Sequence, residues 1–376
     1  MENRPQTPGN LGNVGSKPHH IARITDVKQA EQLPSKTRIV IDDYLYSPRR
    51  RRYEGTVAGS KIITLLERYK AEYIEWLNAI LSYKNEFLSI PKHADDEFTP
   101  FWFNGWIPGL DAMLLYTLIR KNNPRTYIEV GSGNSTKFVN RAIQDGNLRT
   151  KIISIDPQPR TEIDILCDEI IRAPLEDVDQ EIFNILNRDD ILFIDNSHRV
   201  FSNSDTTVAL TEIIPALKDG VLYGLHDIYL PYDYPEEWLD RFYSEQYLFG
   251  MYLLGGCDGD HLVFPGIYVS LSQAYAEAIG EIFGGAPALN GVARHAGAFW
   301  MRRQADGNCG LLTLRHAREE FVAGLYRAVF NREPDERGFQ VYIAALEQRV
   351  PPHALVEIFL NSPEFEAIVR KRAFPP

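Results

Sequence analysis

Cysteine is scarce in this chain of 376 residues, which contains only Cys167, Cys257 and Cys309. Three cysteines that stand far apart form neither a disulfide framework nor a zinc-binding cluster. Their small number argues against a disulfide-stapled secreted domain, so we expect a protein of the reducing cytoplasm.

Long apolar runs and an excess of positive charge are also missing. No stretch approaches the roughly 18 consecutive apolar residues of a membrane span, and the start, MENRPQTPGNLGNVGSKPHH, lacks the apolar core of a secretory signal. The net charge of -11 argues against a general nucleic-acid binder, which needs a basic face. The basic run Arg49–Arg52 could dock phosphates or an acidic polymer, but such a run is more often a solvated linker.

Four parts of the chain differ in their apolar pattern. A Pro- and Gly-rich tail is predicted to be loosely structured, a helical cap follows it, a third part alternates strands with helices, and the last part is all helical. The predicted limits of these parts are residues 1–57, 58–124, 125–305 and 311–376. Within the cap we expect an amphipathic helix from Ser60 to Ile90 and a second helix from Gly109 to Lys121.

The third part contains short apolar runs that are typical of buried strands. They are TYIEV, KIISID, EIIRA, ILFID and VLYGLHD. Helices are expected between them near residues 134–145, 161–168, 177–187 and 205–218. Strands that are apolar on both faces and separated by helices predict an α/β fold with a parallel sheet covered on both sides. Two later runs, GIYVS and GAFWMRR, predict an antiparallel pair at one edge.

The first strand leads into a glycine-rich turn, EVGSGNST. Gly131 and Gly133 let the backbone turn tightly and approach a ligand, and the helix that follows presents free amides. Such a turn also serves nicotinamide and flavin enzymes, but Thr136 stands where their fingerprint has its third glycine. Glu129, just before the turn, can accept a hydrogen bond from an ammonium or an amide. Asp156, at the end of the second strand, is placed to accept from the ribose hydroxyls of an adenosine, or else caps a loop.

Five segments together carry a family resemblance. YIEVGSGNST, ISIDP, ILFIDNSH, GLHD and GAFWMRR resemble class I S-adenosylmethionine-dependent methyltransferases, in particular the metal-dependent macrocin-type sugar O-methyltransferases. The resemblance runs from about Phe101 to Arg303 and implies a Rossmann-like sheet of seven mostly parallel strands. It implies that Asp156 holds the ribose and that the first turn holds the methionine end of the cofactor. The residues of the turn assigned to the cofactor are Glu129, Gly131, Ser132, Gly133, Asn134 and Ser135.

The ends of the fourth and fifth strands predict a metal site. Asp195 ends one strand and His226 and Asp227 end the other, so we expect them at one edge of the sheet. Neighbouring carboxylates repel each other unless a cation lies between them, and a hard divalent ion meets that need. The resembling enzymes hold Mg²⁺ at these strand ends, which implies these three residues as ligands. Because imidazole suits softer ions better, Mn²⁺ is a second candidate.

His198, three residues after Asp195, is the candidate general base. A hydroxyl must lose its proton to attack a methyl group, and an imidazole that titrates near neutrality can take it. The resembling families have Lys or His at this place, which implies that His198 and Asp195 are catalytic; a helix cap is the alternative. Four aromatic residues after the fifth strand either line an acceptor pocket or pack against the body. They are Tyr229, Tyr232, Tyr234 and Trp238.

The last part of the chain, around LYRAVFNREPDERGFQVYIAAL and SPEF, is similar to a helical domain of unknown role. That domain is appended to bacterial cell-surface glycosyltransferases and to secreted repeat proteins, which implies glycan metabolism and leaves room for a protein partner. The sequence therefore predicts an S-adenosylmethionine-dependent O-methyltransferase that acts on a sugar or glycan-type acceptor. The alternatives are a catalytically silent interaction protein that works through the helical C-terminal domain, and a nicotinamide oxidoreductase.

Overall fold

The computed structural model describes residues 48–159, 161, 163–304, 318–319, 321–348 and 350–373. The chain divides into two compact units, one reaching to Gly255 and including His261–Arg303, the other including Gly256–Asp260 and the residues from Gln304 onward. Residues 1–47 of the predicted tail lie outside the described residues, and the domain limits taken from the sequence stay predictions. In the described ranges, no helix is both long and apolar enough to cross a bilayer.

The first unit contains a seven-stranded sheet in the order β3-β2-β1-β4-β5-β7-β6. Its strands are β1 (Thr126–Val130), β2 (Lys151–Ile155), β3 (Glu169–Ile171), β4 (Ile191–Ile194), β5 (Leu222–Leu225), β6 (His261–Pro265) and β7 (Phe299–Arg302). Neighbouring strands are parallel except where β7 runs antiparallel to β5 and β6. The predicted Rossmann-like, mostly parallel sheet is confirmed.

The central strands are buried on both faces, as their unbroken apolar sequences predict. Every residue of β1, β4 and β5 is buried, and Ile128 of β1 is in register with Ile153 of β2 and Leu192 of β4. Because the strand order reverses between β1 and β4, a crevice forms at the carboxyl ends of these two strands. Open α/β sheets bind their ligands in that crevice.

Ten α-helices surround the strands in the described part of the first unit. They are α1 (Val57–Glu67), α2 (Lys70–Ser82), α3 (Lys84–Leu88), α4 (Gly109–Asn122), α5 (Asn134–Gly146), α6 (Asp205–Val208), α7 (Ile214–Ala216), α8 (Glu245–Leu254), α9 (Gly266–Leu271) and α10 (Ala276–Phe283). A π-helical turn, Ala209–Ile213, joins α6 to α7. Pro215 has no amide to donate to the carbonyl four residues earlier, which accounts for the irregular turn. The helices predicted at 109–121 and 134–145 are confirmed.

The single amphipathic helix predicted from Ser60 to Ile90 is wrong, because the structure has α1, α2 and α3 there. The breaks fall at Tyr69 and Tyr83, whose backbones leave the helical region. The hydroxyl of Tyr73 donates to the carbonyl of Leu66 at 2.9 Å, so a side chain satisfies a carbonyl at the end of α1. The spacing of apolar residues continues across such a break. The hydrophobic periodicity of the sequence therefore does not show where one helix ends and the next begins.

Two other predicted helices, at 161–168 and 177–187, are also wrong. The described residues there form short 3₁₀ turns, Asp164–Leu166 and Gln180–Ile185. Segments this short gain too few hydrogen bonds to repay helix nucleation. In the second, the side chain of Asp179 accepts from the amide of Glu181 and favours a local turn.

The strand predicted at GIYVS is wrong as well, since these residues belong to α9, and β6 is the preceding run His261–Pro265. A short, fully buried apolar run fits a strand and a buried helix equally well. The β-carbon of any residue other than glycine at 266 would lie 2.5 Å from the carbonyl oxygen of Ala298, so Gly266 allows the chain to turn closely against β7. The predicted antiparallel pairing is present, but between β6 and β7.

The described residues of the second unit form helices joined by turns and no strand, as predicted. Helical residues 321–330 end in a π-helical turn, Tyr326–Phe330, and are followed by α11 (Glu336–Glu347), α12 (Pro352–Leu360) and α13 (Pro363–Ala373). Their core consists of Val322, Tyr326, Ile343, Leu346, Leu355 and Phe359. Ser362 Oγ accepts from the amide of Phe365 at 3.2 Å and so caps the start of the last helix.

Candidate active site

Gly131 brings the first turn against the end of β4. Its φ is +79°, and a β-carbon there would lie 1.8 Å from the carbonyl oxygen of Asp195. Only glycine fits this position, because it tolerates the left-handed backbone and leaves room for the neighbouring chain. The glycine-rich turn and the Asp195 segment are therefore in direct contact at the carboxyl edge of the sheet.

Glu129 is a fully buried carboxylate just before this turn. Thr136 donates its hydroxyl hydrogen to Oε2 of Glu129 in a short hydrogen bond and accepts from the amide of Gly133 at 3.1 Å. This double contact is what Thr136 contributes in place of the third glycine of a dinucleotide fingerprint. Oε1 of Glu129 has no hydrogen-bond partner within the described residues. Burial raises the pKa of Glu129 to about 7, so the site favours a cationic partner for this carboxylate.

Asp156 follows β2 and is oriented by two backbone amides. Its Oδ2 accepts from Ser132 at 2.9 Å and its Oδ1 from Gln158 at 2.7 Å. Each carboxylate oxygen has capacity for a further hydrogen bond. Ser135 is buried in the first turn of α5, next to Asn134, the first residue of that helix. The structure brings the turn and Asp156 together, and their roles in binding the cofactor stay predictions.

The imidazole of His226 lies among three carboxylates at the end of β5. Nδ1 is 3.4 Å from Oδ1 of Asp195 and 3.5 Å from Oδ1 of Asp227, and Nε2 is 3.4 Å from Oδ2 of Asp111. Sequence reasoning missed Asp111, which lies in the first turn of α4 and accepts from the amide of Ala298 at 3.0 Å. His226 is buried, so its ring stays close to these charges.

His198 lies beside this group and is buried as well. Its Nε2 is 3.1 Å from Oδ1 of Asp195 and 3.6 Å from Oδ2 of Asp227, while its Nδ1 is 2.9 Å from Oε2 of Glu245. Glu245 is fully buried at the start of α8, and sequence reasoning missed it. Nothing in its local pattern distinguishes it from an ordinary acidic residue in the first turn of a helix.

The backbone of His198 is fixed together with its ring. Its φ is +59°, an uncommon value for a side-chain-bearing residue. Its amide donates to Oδ1 of Asn196 at 2.8 Å, and its carbonyl accepts from the amides of Ser244 at 2.8 Å and Glu245 at 3.2 Å. Backbone strain of this kind clusters at functional sites, which motivates a functional role for His198.

The electrostatics of this cluster favour charged imidazoles. Burial lowers the pKa of His198, but hydrogen bonds to Asp195 and Glu245 and the charge of Asp227 outweigh it, so the pKa lies well above its usual value. In His226, burial likewise lowers the pKa, and the charges of Asp227 and Asp195 raise it well above normal overall. Burial raises the pKa of Asp195, and the two imidazoles more than reverse that effect. Two imidazoles with raised pKa values therefore lie where the sequence predicted a divalent ion.

The predicted metal ligands Asp195, His226 and Asp227 do come together. Within the described ranges, however, no group of three or more His, Cys, Asp or Glu side chains is arranged to hold a metal ion. Both carboxylates face imidazole nitrogens instead of a shared open position. The arrangement does not fit the predicted Mg²⁺ or Mn²⁺.

The aromatic segment after β5 packs onto the body, and its second possible role, lining an acceptor pocket, stays a prediction. Tyr229 and Tyr234 are buried against Ile267, so they pack the segment onto the body. Trp238 is only partly buried. Tyr243, which sequence reasoning did not single out, is also partly buried, and its ring centroid lies 4.6 Å from that of His198. An aromatic surface therefore adjoins the candidate base.

Residues 128–228 match a protein family described as a methyltransferase domain, and residues 313–369 match a domain of unknown function. The first match spans β1 to β5 and includes the glycine-rich turn, Asp156, His198 and Asp227. Together with the order of the sheet, this match identifies a methyltransferase domain within the first unit.

The solved structures that are similar to this chain include two methyl-transfer or cofactor-bound proteins whose similarity is weak. The SAH-bound Podospora anserina methyltransferase PaMTH1 has 11% identity and a TM-score of 0.32, covering 64% of this chain and 96% of its own. Cofactor-bound Rv0187 from MTB has 13% identity and a TM-score of 0.27, covering 61% of this chain and 89% of its own. Similarities this weak carry no argument about the site. No curated protein matches the sequence.

Proposed function

We propose that this chain methylates a hydroxyl group of a sugar or glycan-type acceptor, with S-adenosylmethionine as the methyl donor. The observation that carries the proposal is the buried pair of His198 and Glu245 at the carboxyl edge of the sheet, where Nδ1 lies 2.9 Å from Oε2. An imidazole held by a carboxylate on one nitrogen, with its other nitrogen 3.1 Å from Asp195 at the end of β4, has the form of a general base. Transfer to oxygen needs such a base, because a neutral hydroxyl is a poor nucleophile.

The cofactor fits the residues around the first turn. Oε1 of Glu129, a buried acceptor with no partner in the described residues, suits the ammonium of a methionine moiety. Asp156, held by the amides of Ser132 and Gln158, suits the two hydroxyls of a ribose. When bound, S-adenosylmethionine supplies an electrophilic methyl group. The protein then needs to orient the acceptor hydroxyl and take up its proton.

His198 is proposed to take that proton at Nε2, while Glu245 holds Nδ1 and so fixes the orientation of the ring. Asp195 and Asp227 stabilise the imidazolium that results, since both carboxylates lie within 3.6 Å of Nε2. A divalent ion takes no part in this proposal, because Asp195 and Asp227 face imidazole nitrogens of His198 and His226. The metal requirement predicted from the family resemblance is left to direct measurement.

Two features support a sugar acceptor. The partly buried ring of Tyr243 adjoins the base and contacts the ring of Trp238, and aromatic faces pack well against the apolar faces of sugar rings. The second unit matches a domain of unknown function. The family resemblance of that domain associates it with proteins of glycan metabolism, which favours a sugar acceptor. We assign to that unit the binding of a protein partner or a large acceptor.

Calorimetry with S-adenosylmethionine, SAH and NAD, followed by radiolabelled methyl transfer to a panel of sugars and nucleotide sugars, tests the proposal. We expect binding of the first two compounds and labelled product that His198→Ala abolishes. Binding of S-adenosylmethionine without transfer to any hydroxyl acceptor would instead favour the silent interaction protein. Binding of NAD alone would favour an oxidoreductase.

A further inference from the structure

Two arginines flank the candidate base on the aromatic surface. Arg199 directly follows His198, and its guanidinium lies 5.5 Å from the ring centroid of Tyr243. The guanidinium of Arg241 lies 5.6 Å from the same centroid and 4.3 Å from that of Trp238. Because the Tyr243 ring is 4.6 Å from the ring of His198, both cations share the ring that contacts the base.

These arginines are held in place without carboxylate partners. Nε of Arg199 donates to the backbone carbonyl of Arg241 at 2.9 Å, and its Nη1 donates to the carbonyl of Ser197 at 3.2 Å. Among the residues that the structure describes, no Asp or Glu lies within ion-pair distance of either guanidinium. Arg302, another partly buried arginine of this unit, does have such a partner, Asp189 at 2.7 Å.

A guanidinium stacked on an aromatic ring keeps available the edge donors that are not already bonded, which in Arg199 are Nη2 and the second hydrogen of Nη1. Those donors form a planar fork that matches the two oxygens of a carboxylate or phosphate. Two partly buried guanidiniums that lack counter-ions therefore favour an anionic ligand, particularly in a chain whose net charge is -11. Their position next to His198 puts that anion on the acceptor rather than on the cofactor, whose predicted contacts lie on β1 and β2.

We propose that Arg199 and Arg241 bind an anionic group of the acceptor, a phosphate or a carboxylate. This inference rests on the proposed function and narrows it: the substrate class becomes an acidic or phosphorylated sugar, not a neutral one. Arg241 sets the position of the anion through its stacking on Trp238. Arg199 links that anion to the segment that carries His198.

The test uses the full chain saturated with SAH, at constant ionic strength, titrated calorimetrically with inorganic phosphate and, separately, with acetate. Arg199→Gln and Arg241→Gln should each weaken binding of the preferred anion by about fivefold or more, since each removes a charged fork. Arg241→Lys keeps the charge but loses the fork, so its affinity should fall between wild type and Arg241→Gln. The probe that binds more tightly identifies phosphate or carboxylate as the natural group.

Arg120→Gln is the matched control, because Arg120 also stacks on two tyrosine rings, 4.9 Å from Tyr83 and 5.5 Å from Tyr116, but at the end of α4 that leads into β1. It should leave anion affinity unchanged. Equal affinity in all variants, or no binding of either probe by folded wild type, would overturn the inference while leaving methyl transfer intact. Failure to bind SAH would overturn the proposed function instead. The anion titration would then be repeated on the unliganded protein, where it still tests the two arginines.

Discussion

Glu245 and His198 form a buried hydrogen-bonded pair, with Oε2 2.9 Å from Nδ1, although 47 residues separate them in the chain. The amides of Ser244 and Glu245 also donate to the carbonyl of His198, so the start of α8 fixes both the backbone and the ring. The sequence predicted His198 as the base and Asp195 as a metal ligand, without a carboxylate that orients the imidazole. The structure adds this carboxylate on Nδ1, and the first two predictions follow from it.

Glu245→Gln should lower turnover at least about tenfold, part of the 10²- to 10⁴-fold that a positioned base contributes. Glutamine can still accept from Nδ1, so the ring should stay in place while the nearby negative charge is lost. The pKa of His198 should then fall, and the acidic limb of the pH–rate profile should move to lower pH. An unchanged profile measured on folded protein would show that Glu245 has only a structural role. SAH affinity serves as the control and should not change.

The wild-type pH dependence follows from the raised pKa of His198. Only the neutral imidazole can take a proton, so turnover should rise with pH through a midpoint well above the usual value of about 6.5. The stability of the fold should change with pH in the opposite direction. Because the pKa of His198 is higher in the folded than in the unfolded protein, protonation of its ring stabilises the fold. This stabilisation is complete below the pKa of the unfolded state and is lost as pH rises through the pKa of the folded state.

Melting temperature and turnover measured from about pH 6 to pH 9 should therefore move in opposite directions. His198→Ala should lose both the acidic limb and its share of the stability change. Turnover already maximal at pH 6 would contradict a carboxylate-bound imidazolium in the resting enzyme.

The strand ends could be predicted from the sequence, whereas the side chains that complete the site could not. ILFID and VLYGLHD are unbroken apolar runs followed by acids, and a parallel sheet brings such ends together, so Asp195 and Asp227 were expected as neighbours. Glu245 and Asp111 come from helices distant in the chain, and their local patterns are those of ordinary acidic residues in first helical turns. The sequence predicted that a cation must lie between these carboxylates. It could not show that imidazoles supply the positive charge, because that depends on where side chains from distant parts of the chain are placed.

Chelation tests which cation balances those carboxylates. If the two imidazoles do so, turnover in EDTA should stay within about twofold of that in untreated enzyme, because no step depends on an added ion. SAH binding under the same conditions is the control. Loss of turnover that Mg²⁺ or Mn²⁺ restores would instead support the metal site predicted from the family resemblance.

Asp156→Ala should weaken binding of S-adenosylmethionine by about 2 to 3 kcal/mol, because two ribose hydroxyls would lose a charged acceptor. The amide of Ser132 would also lose its 2.9 Å partner, so part of the loss would come from the turn itself. Comparing adenosine with methionine as competitors separates the two causes. A ribose contact predicts that adenosine affinity falls and methionine affinity holds, while equal losses would place the effect in the turn.

Gly131→Ala should destabilise the protein and remove cofactor binding together. A β-carbon at this position would lie 1.8 Å from the carbonyl oxygen of Asp195, and the φ of +79° adds strain, so the turn and the end of β4 must separate. Such a backbone clash belongs to the changes that cost more than about 3 kcal/mol, and thermal or urea unfolding should register it. Gly133→Ala is the matched control, because its β-carbon would meet only Cγ2 of Thr161, at 3.6 Å, an ordinary contact. A Gly131→Ala variant as stable as Gly133→Ala would mean that the turn does not contact the Asp195 segment, and the site would have to be rebuilt from that point.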